Sequence, residues 1–212
     1  MNIKNKIVPV ILMATLFSLA LHQQATAQLG RSGIKGGLNV SNLYIDNVTD
    51  QNARLGFNIG VFGQLMSSDK FAIQPELLYS TKGSSAQYGG VINQEITYNL
   101  NYLDLPVLAV IKLGPDAEIH LGAYASYLLN ANISYKGDLS NGVDPIDKDK
   151  LKSFDYGLAG GMGINFGNVQ VGARYNYGLV KIANSNSARS FLGDSKNSCA
   201  QVFVAFNLAA NQ

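Results

Sequence analysis

The chain of 212 residues is 47% hydrophobic and only 14% charged, and its formal net charge is +2. That balance excludes the basic footprint of a nucleic-acid binder, and the charged fraction falls well below the ~25% usual for soluble domains. A single cysteine, Cys199, excludes an intramolecular disulfide.

The N-terminus has the layout of an export signal. Lys4 and Lys6 give a basic start, residues 7–21 an apolar run, and Ala25-Thr26-Ala27 a small-x-small cleavage pattern. Residues 1–27 are therefore expected to be a signal peptide cleaved after Ala27, leaving 28–212 as one β-domain. The rival reading, a membrane anchor, needs about 20 apolar residues, more than this run provides. No later stretch has the length of a membrane helix. The exported chain is then either soluble outside the cytoplasm or a barrel in an outer membrane.

Strands follow in order. Residues 33–43 alternate, with Lys35, Asn39 and Ser41 on one face. A polar loop at 44–52 leads to a second strand, 53–66, with Leu55, Phe57, Ile59 and Val61 opposite Arg54, Asn58 and Gln64. After a short turn comes strand three, 70–82, with Phe71, Ile73, Leu77 and Tyr79 opposite Gln74, Glu76 and Lys82. A loop at 83–94 precedes strand four, 95–113, whose phase slips at Tyr102-Leu103, where a β-bulge is expected. Gly114-Pro115-Asp116 turns into strand five, 117–135, which carries His120, Tyr124 and Ser126 on its polar face. A hydrophilic loop at 136–152 follows.

The clearest signal is the pair of segments 153–166 and 169–182 around Gly167-Asn168. Phe154, Tyr156, Leu158, Met162, Ile164 and Phe166 share one face, against Asp155, Gly157, Ala159, Gly161, Gly163 and Asn165. Val171, Ala173, Tyr175, Tyr177 and Leu179 oppose Gln170, Gly172, Arg174, Asn176 and Gly178. Period-two alternation across a two-residue link predicts a β-hairpin. One face is large and apolar and the other small or polar, as a membrane barrel requires. A loop at 183–196 and a last strand, 197–208, complete the chain.

About eight strands result, and the connections alternate long and short. Membrane barrels put short turns on the periplasmic side and long loops outside. The loops at 44–52, 83–94, 136–152 and 183–196 are thus expected to be extracellular. The fold class expected is all-β: an eight-stranded antiparallel up-and-down transmembrane β-barrel. Leu121, Ile164 and Val171 are expected to face lipid near mid-membrane.

With the strands placed, the sequence resembles the PorT-like outer-membrane β-barrel family of Bacteroidetes. The resemblance rests on Gly36-Gly37-Leu38-Asn39-Val40-Ser41, Gln74-Pro75-Glu76-Leu77-Leu78-Tyr79-Ser80-Thr81-Lys82-Gly83 and Tyr102-Leu103-Asp104-Leu105-Pro106-Val107-Leu108. It rests also on Asp155-Tyr156-Gly157 with Gly160-Gly161-Met162-Gly163, and on Gly172-Ala173-Arg174-Tyr175-Asn176-Tyr177-Gly178-Leu179. The resemblance implies location in the cell outer membrane. Because its founding member is linked to protein secretion, it also suggests envelope or secretion proteins as partners beside outer-membrane lipid.

Candidate chemistry is sparse. His120 follows a short turn and lacks a partner at catalytic spacing, so lumen packing outweighs catalysis. The glycines around Gly160 lack the strand–turn–helix setting of a phosphate loop. Asp144, Asp147 and Asp149 lack the Gly and Glu of a calcium loop. No catalytic residue, metal or cofactor is expected, and no nucleic-acid partner. What remains is an inward set of charges: Lys35, Arg54, Glu76, Lys82, Asp104, Asp155 and Arg174. They read as a polar network filling a narrow bore, with a charged solute path as the alternative. Glu76 and Arg174, at similar depth on facing strands, are expected to meet. The function expected is non-enzymatic, a structural, adhesive or secretion-associated role through the loops. The alternatives are a narrow porin and a soluble lipocalin-like carrier with its apolar face inside.

Overall fold

The computed structural model describes residues 30–44, 52–88, 93–139, 141–146, 151–184 and 195–208. The expected leader, most of the loops at 44–52 and 183–196, and Asp147 and Asp149 lie outside the described residues.

Among the described residues nine antiparallel strands form: β1 (Ser32–Tyr44), β2 (Asn52–Gly63), β3 (Phe71–Tyr88), β4 (Gln94–Lys112), β5 (Ala117–Gly137), β6 (Gly142–Pro145), β7 (Phe154–Phe166), β8 (Val169–Lys181) and β9 (Lys196–Asn207). β1 pairs with both β2 and β9, while β4 pairs with β5 and β5 with β7, so eight strands close a ring. The ninth, β6, only lengthens the wall by pairing with residues 132–135 of β5. This ring is the eight-stranded barrel that the alternation predicts. Gly167 adopts φ 60 in the two-residue link between β7 and β8, the positive φ that such a hairpin needs at its first position.

The two faces of the wall separate cleanly. Leu38 is 65% exposed on the outside, whereas Glu76 is fully buried inside. Leu55, Ile59, Leu121, Leu158, Met162 and Val202 also project outward. A polar interior and an apolar exterior are the reverse of a lipocalin-like carrier. Among the described residues closure also leaves no free ladder edge around the ring, which hydrocarbon requires because it offers no other partner for backbone groups.

Three expectations change. β3 continues past Lys82 to Tyr88, so much of the expected loop at 83–94 is strand, and the loop at 136–152 contains β6. The irregularity at Tyr102-Leu103 is not a slip of β4, whose inward residues stay at even positions from Leu100 through Asp104 to Val110. The extra residue, Leu129, sits opposite on β5, between the pairs Asn101↔Asn130 and Tyr102↔Leu128. The two consecutive apolar residues arise because the wall exchanges its polarity there. Below, apolar side chains face out. Above, Leu100, Tyr102, Leu128 and Ala131 face in and form a buried cluster with Leu43, Leu151, Ile182 and Ala183. Their neighbours on the opposite face are Asn99, Thr97, Asn130, Asn132 and Ser134. Finally, Ile164 and Val171 pair with each other three residues from the Gly167-Asn168 turn, near the short-turn end and not at mid-height. The middle of the wall passes through Leu38 and Val202, which are directly paired.

Candidate functional site: the filled bore

Alternation sends one set of side chains inward from every strand, and an eight-stranded bore is just wide enough for them to meet. At mid-height Arg174 of β8 donates from Nη1 and Nη2 to Glu76 of β3 at 2.7 and 2.8 Å, a bidentate pair. β3 and β8 stand four places apart in the ring of eight, so this contact spans the full diameter. Lys35 Nζ approaches the same carboxylate at 3.1 and 3.3 Å, and Gln74 Nε2 donates to it at 2.8 Å. Both cations also lie over the Phe203 ring, Lys35 at 3.6 Å and Arg174 at 5.4 Å from its centroid. That ring needs space: a Cβ on Gly172 would sit 2.4 Å from its Cζ. The glycines of the inner face thus make room for bulky lumen groups.

Toward the short-turn end, Glu118 of β5 pairs with Arg31, which precedes β1, and again the two sides of the bore are diametrically opposed. Gln170 Nε2 donates to Glu118 at 2.8 Å and to Asn165 Oδ1 at 2.9 Å. His120 lies 3.3 Å from Glu118 and stacks on Phe203, with ring centroids 6.3 Å apart. It is packed into the wall's inner lining.

Toward the long-loop end, Lys82 contacts Asp104 at 2.9 Å, and Ser126 Oγ donates to the same carboxylate at 2.5 Å. Asp155 accepts from Asn197 Nδ2 at 2.8 Å and from Tyr124 at 3.3 Å. Asn197 also reaches Tyr102 OH at 3.3 Å, from β9 to β4, a third contact across the diameter. Beside these, Asn39 Oδ1 accepts from Asn58 at 2.6 Å and from Gln201 at 3.0 Å. The apolar cluster around Leu100 and Leu151 closes the bore above this layer.

Of the seven charges read from the sequence, Lys35, Glu76 and Arg174 form one cluster, and Lys82 and Asp104 another, with Asp155 beside it. Arg54 joins neither. Its Nε donates to Asn99 Oδ1 at 2.8 Å, on the opposite face of the wall from Leu100. The sequence reading passed over Glu118 and Phe203, although Glu118 shares the inward parity of His120, which it did name, and Phe203 lies among the buried odd-numbered positions of β9. Among the described residues no group of three or more His, Cys, Asp or Glu could hold a metal ion.

Several solved structures are similar to this chain. Neisserial surface protein A (NspA) aligns over 85% of this chain and 99% of its own, at 12% identity and a TM-score of 0.51. Ail, the attachment invasion locus protein of Yersinia pestis, aligns over 84% and 97%, at 15% identity and a TM-score of 0.47. OprG from Pseudomonas aeruginosa aligns over 84% and 93%, at 14% identity and a TM-score of 0.40. At such identities the likeness concerns the fold alone. No curated protein matches significantly. The family model of the outer membrane protein beta-barrel domain matches residues 23–184, most of the chain. The chain belongs to that family of outer-membrane barrels.

Proposed function

We propose that the protein is a closed, non-enzymatic barrel of the PorT-like type that works through its loops as a structural, adhesive or secretion-associated component, and does not pass solute. The observation that carries this reading is the set of contacts across the diameter at three heights: Arg31–Glu118, Arg174–Glu76 and Asn197–Tyr102. Buried charges held by partners on the opposite wall are costly to separate, so the bore resists opening. In planar bilayers the protein should show no unitary conductance, while a Glu76→Ala/Arg174→Ala variant should leak. A steady conductance from the unaltered protein would instead make it a narrow porin.

The long-loop end faces outward in this proposal, because membrane barrels place their long loops outside, and residues 1–27 are removed on export. Envelope or secretion proteins are then the partners the loops would meet. An epitope inserted beside the exposed Asn141 should be detected on intact cells. Detection only after permeabilisation would reverse the orientation.

A further inference from the structure

Of the seven charges read as inward from the sequence, Arg54 is the one that the filled bore does not use. By its pairing with Ser41 it begins on the inner face. Its side chain nevertheless crosses Gly83, where a Cβ would stand 3.4 Å from Arg54 Cδ. Gly83 itself has φ 142 and is packed so closely that a Cβ would lie 1.8 Å from Tyr98 O, so any side chain there is excluded. The guanidinium ends beside Asn99, with Nη1 donating to Lys82 O at 3.3 Å. Both acceptors are neutral. Arg54 is half-buried, yet no carboxylate among the described residues lies within ion-pair distance of it.

The surface around it is built for polar ligands. Asn99 Nδ2 bonds Asn132 and Ser134 at 2.8 and 2.9 Å, and Ser85 bonds Glu95 and Thr97, both at 2.9 Å. These groups line an open cleft of about 520 Å³ that also takes in Lys136 and Leu55. Two cations face one carboxylate there, so the cleft is net cationic. Directly below it on the outer face lie the exposed Leu55, the exposed Phe57, and Tyr79, whose ring is 5.9 Å from that of Phe57. The cleft therefore sits where the lipid-facing apolar band gives way to the polar part of the wall.

We propose that this cleft seats the phosphorylated sugar headgroup of an outer-leaflet glycolipid, with Arg54 and Lys136 on the phosphate and the hydroxyl and amide side chains on the sugar. Two features select a lipid over a soluble anion. Its lining includes Leu55, exposed on the outer face of the wall, and apolar side chains lie on that face beneath it to receive acyl chains. A half-desolvated guanidinium without a counter-charge is the group a phosphate would satisfy. The site rests on the proposed orientation, since only the outward end reaches that leaflet.

The test is native mass spectrometry of the barrel in micelles doped with a bis-phosphorylated disaccharide lipid. The unaltered protein should retain that lipid at least about tenfold better than its dephosphorylated counterpart, the loss of roughly one charge-assisted contact. Arg54→Gln/Lys136→Gln should bind about tenfold more weakly or worse. Arg54→Lys should keep partial binding, which shows that loss reflects charge and not misfolding. Lys70→Gln/Lys112→Gln, the same charge change at the other end, should have no effect. Equal retention by the cleft variant, indifference to dephosphorylation, or equally tight binding of inorganic phosphate alone would overturn the proposal. Micelle binding does not depend on orientation or conductance, so a reversed epitope result with intact binding would refute the topology and leave the cleft standing.

Discussion

Replacing Glu76 by Gln is expected to destabilise the barrel by about 3–5 kcal/mol, the cost of stripping one partner from a buried ion pair. The carboxylate serves two cations, Arg174 through both Nη atoms and Lys35 through Nζ. Its loss leaves both positive, close together and shielded from water. Arg174→Met should cost less, because Lys35 remains to neutralise Glu76 and the methionine side chain can still rest against Phe203. Unfolding in detergent or lipid would measure both variants and their combination. A coupling energy above about 1 kcal/mol is expected for residues in one network. Additive effects would mean that the two side chains merely lie near each other, and that the bore is not locked by charge.

The second large effect is on the outer face. Arg at Leu38 or Val202 should cost about 2–4 kcal/mol, the midplane value for membrane barrels, and Arg at Ile164 or Val171 about 0–1 kcal/mol, the value near the interface. All four side chains are exposed on the wall's outside, so burial in protein does not separate them. Only depth does: Leu38 and Val202 pair at mid-wall, Ile164 and Val171 beside the turn. Gln170→Arg, which places the charge inside next to Glu118, should also cost less than Leu38→Arg. Refolding into lipid vesicles gives the numbers. Equal costs at Leu38 and Ile164 would show that the hydrocarbon is not centred on the Leu38–Val202 pair.

Period-two alternation was enough to place all eight wall strands, because along most of each strand one face meets lipid and the other meets polar side chains. The same rule misread strand four. At Tyr102-Leu103 the surroundings exchange sides while β4 keeps its phase, and the bulge at that level falls on β5, at Leu129; composition alone does not say which strand of a pair carries the extra residue. β6 was hidden for a related reason: its four residues are all exposed, so no buried face imposes a pattern on them. Parity places Arg54 inward, but a long side chain can cross a neighbouring glycine, and backbone phase does not constrain its end. The apolar lid was illegible because Leu43, Leu151 and Ile182 come from distant parts of the chain and meet only once the ring is closed.

The polarity exchange in β4 and β5 also fixes how deep the barrel floats. Each of these strands carries a waterline. Asn101 and Asn130 bond each other on the outer face just above it, and Leu103 and Leu105 follow on the same face of β4 below. Sinking the barrel by one residue pair, roughly 7 Å, would drag that amide pair into hydrocarbon. Raising it by the same amount would lift a row of leucines into the headgroups. On β7, β8 and β9, outward apolar side chains run nearly from end to end, from Phe154 to Phe166 and from Val169 to Leu179, and that side would tolerate the shift far better. One wall is therefore graduated and the other is not. In a thinner or thicker bilayer the molecule should respond by tilting about the graduated side, which swings the β7–β9 wall through the largest arc.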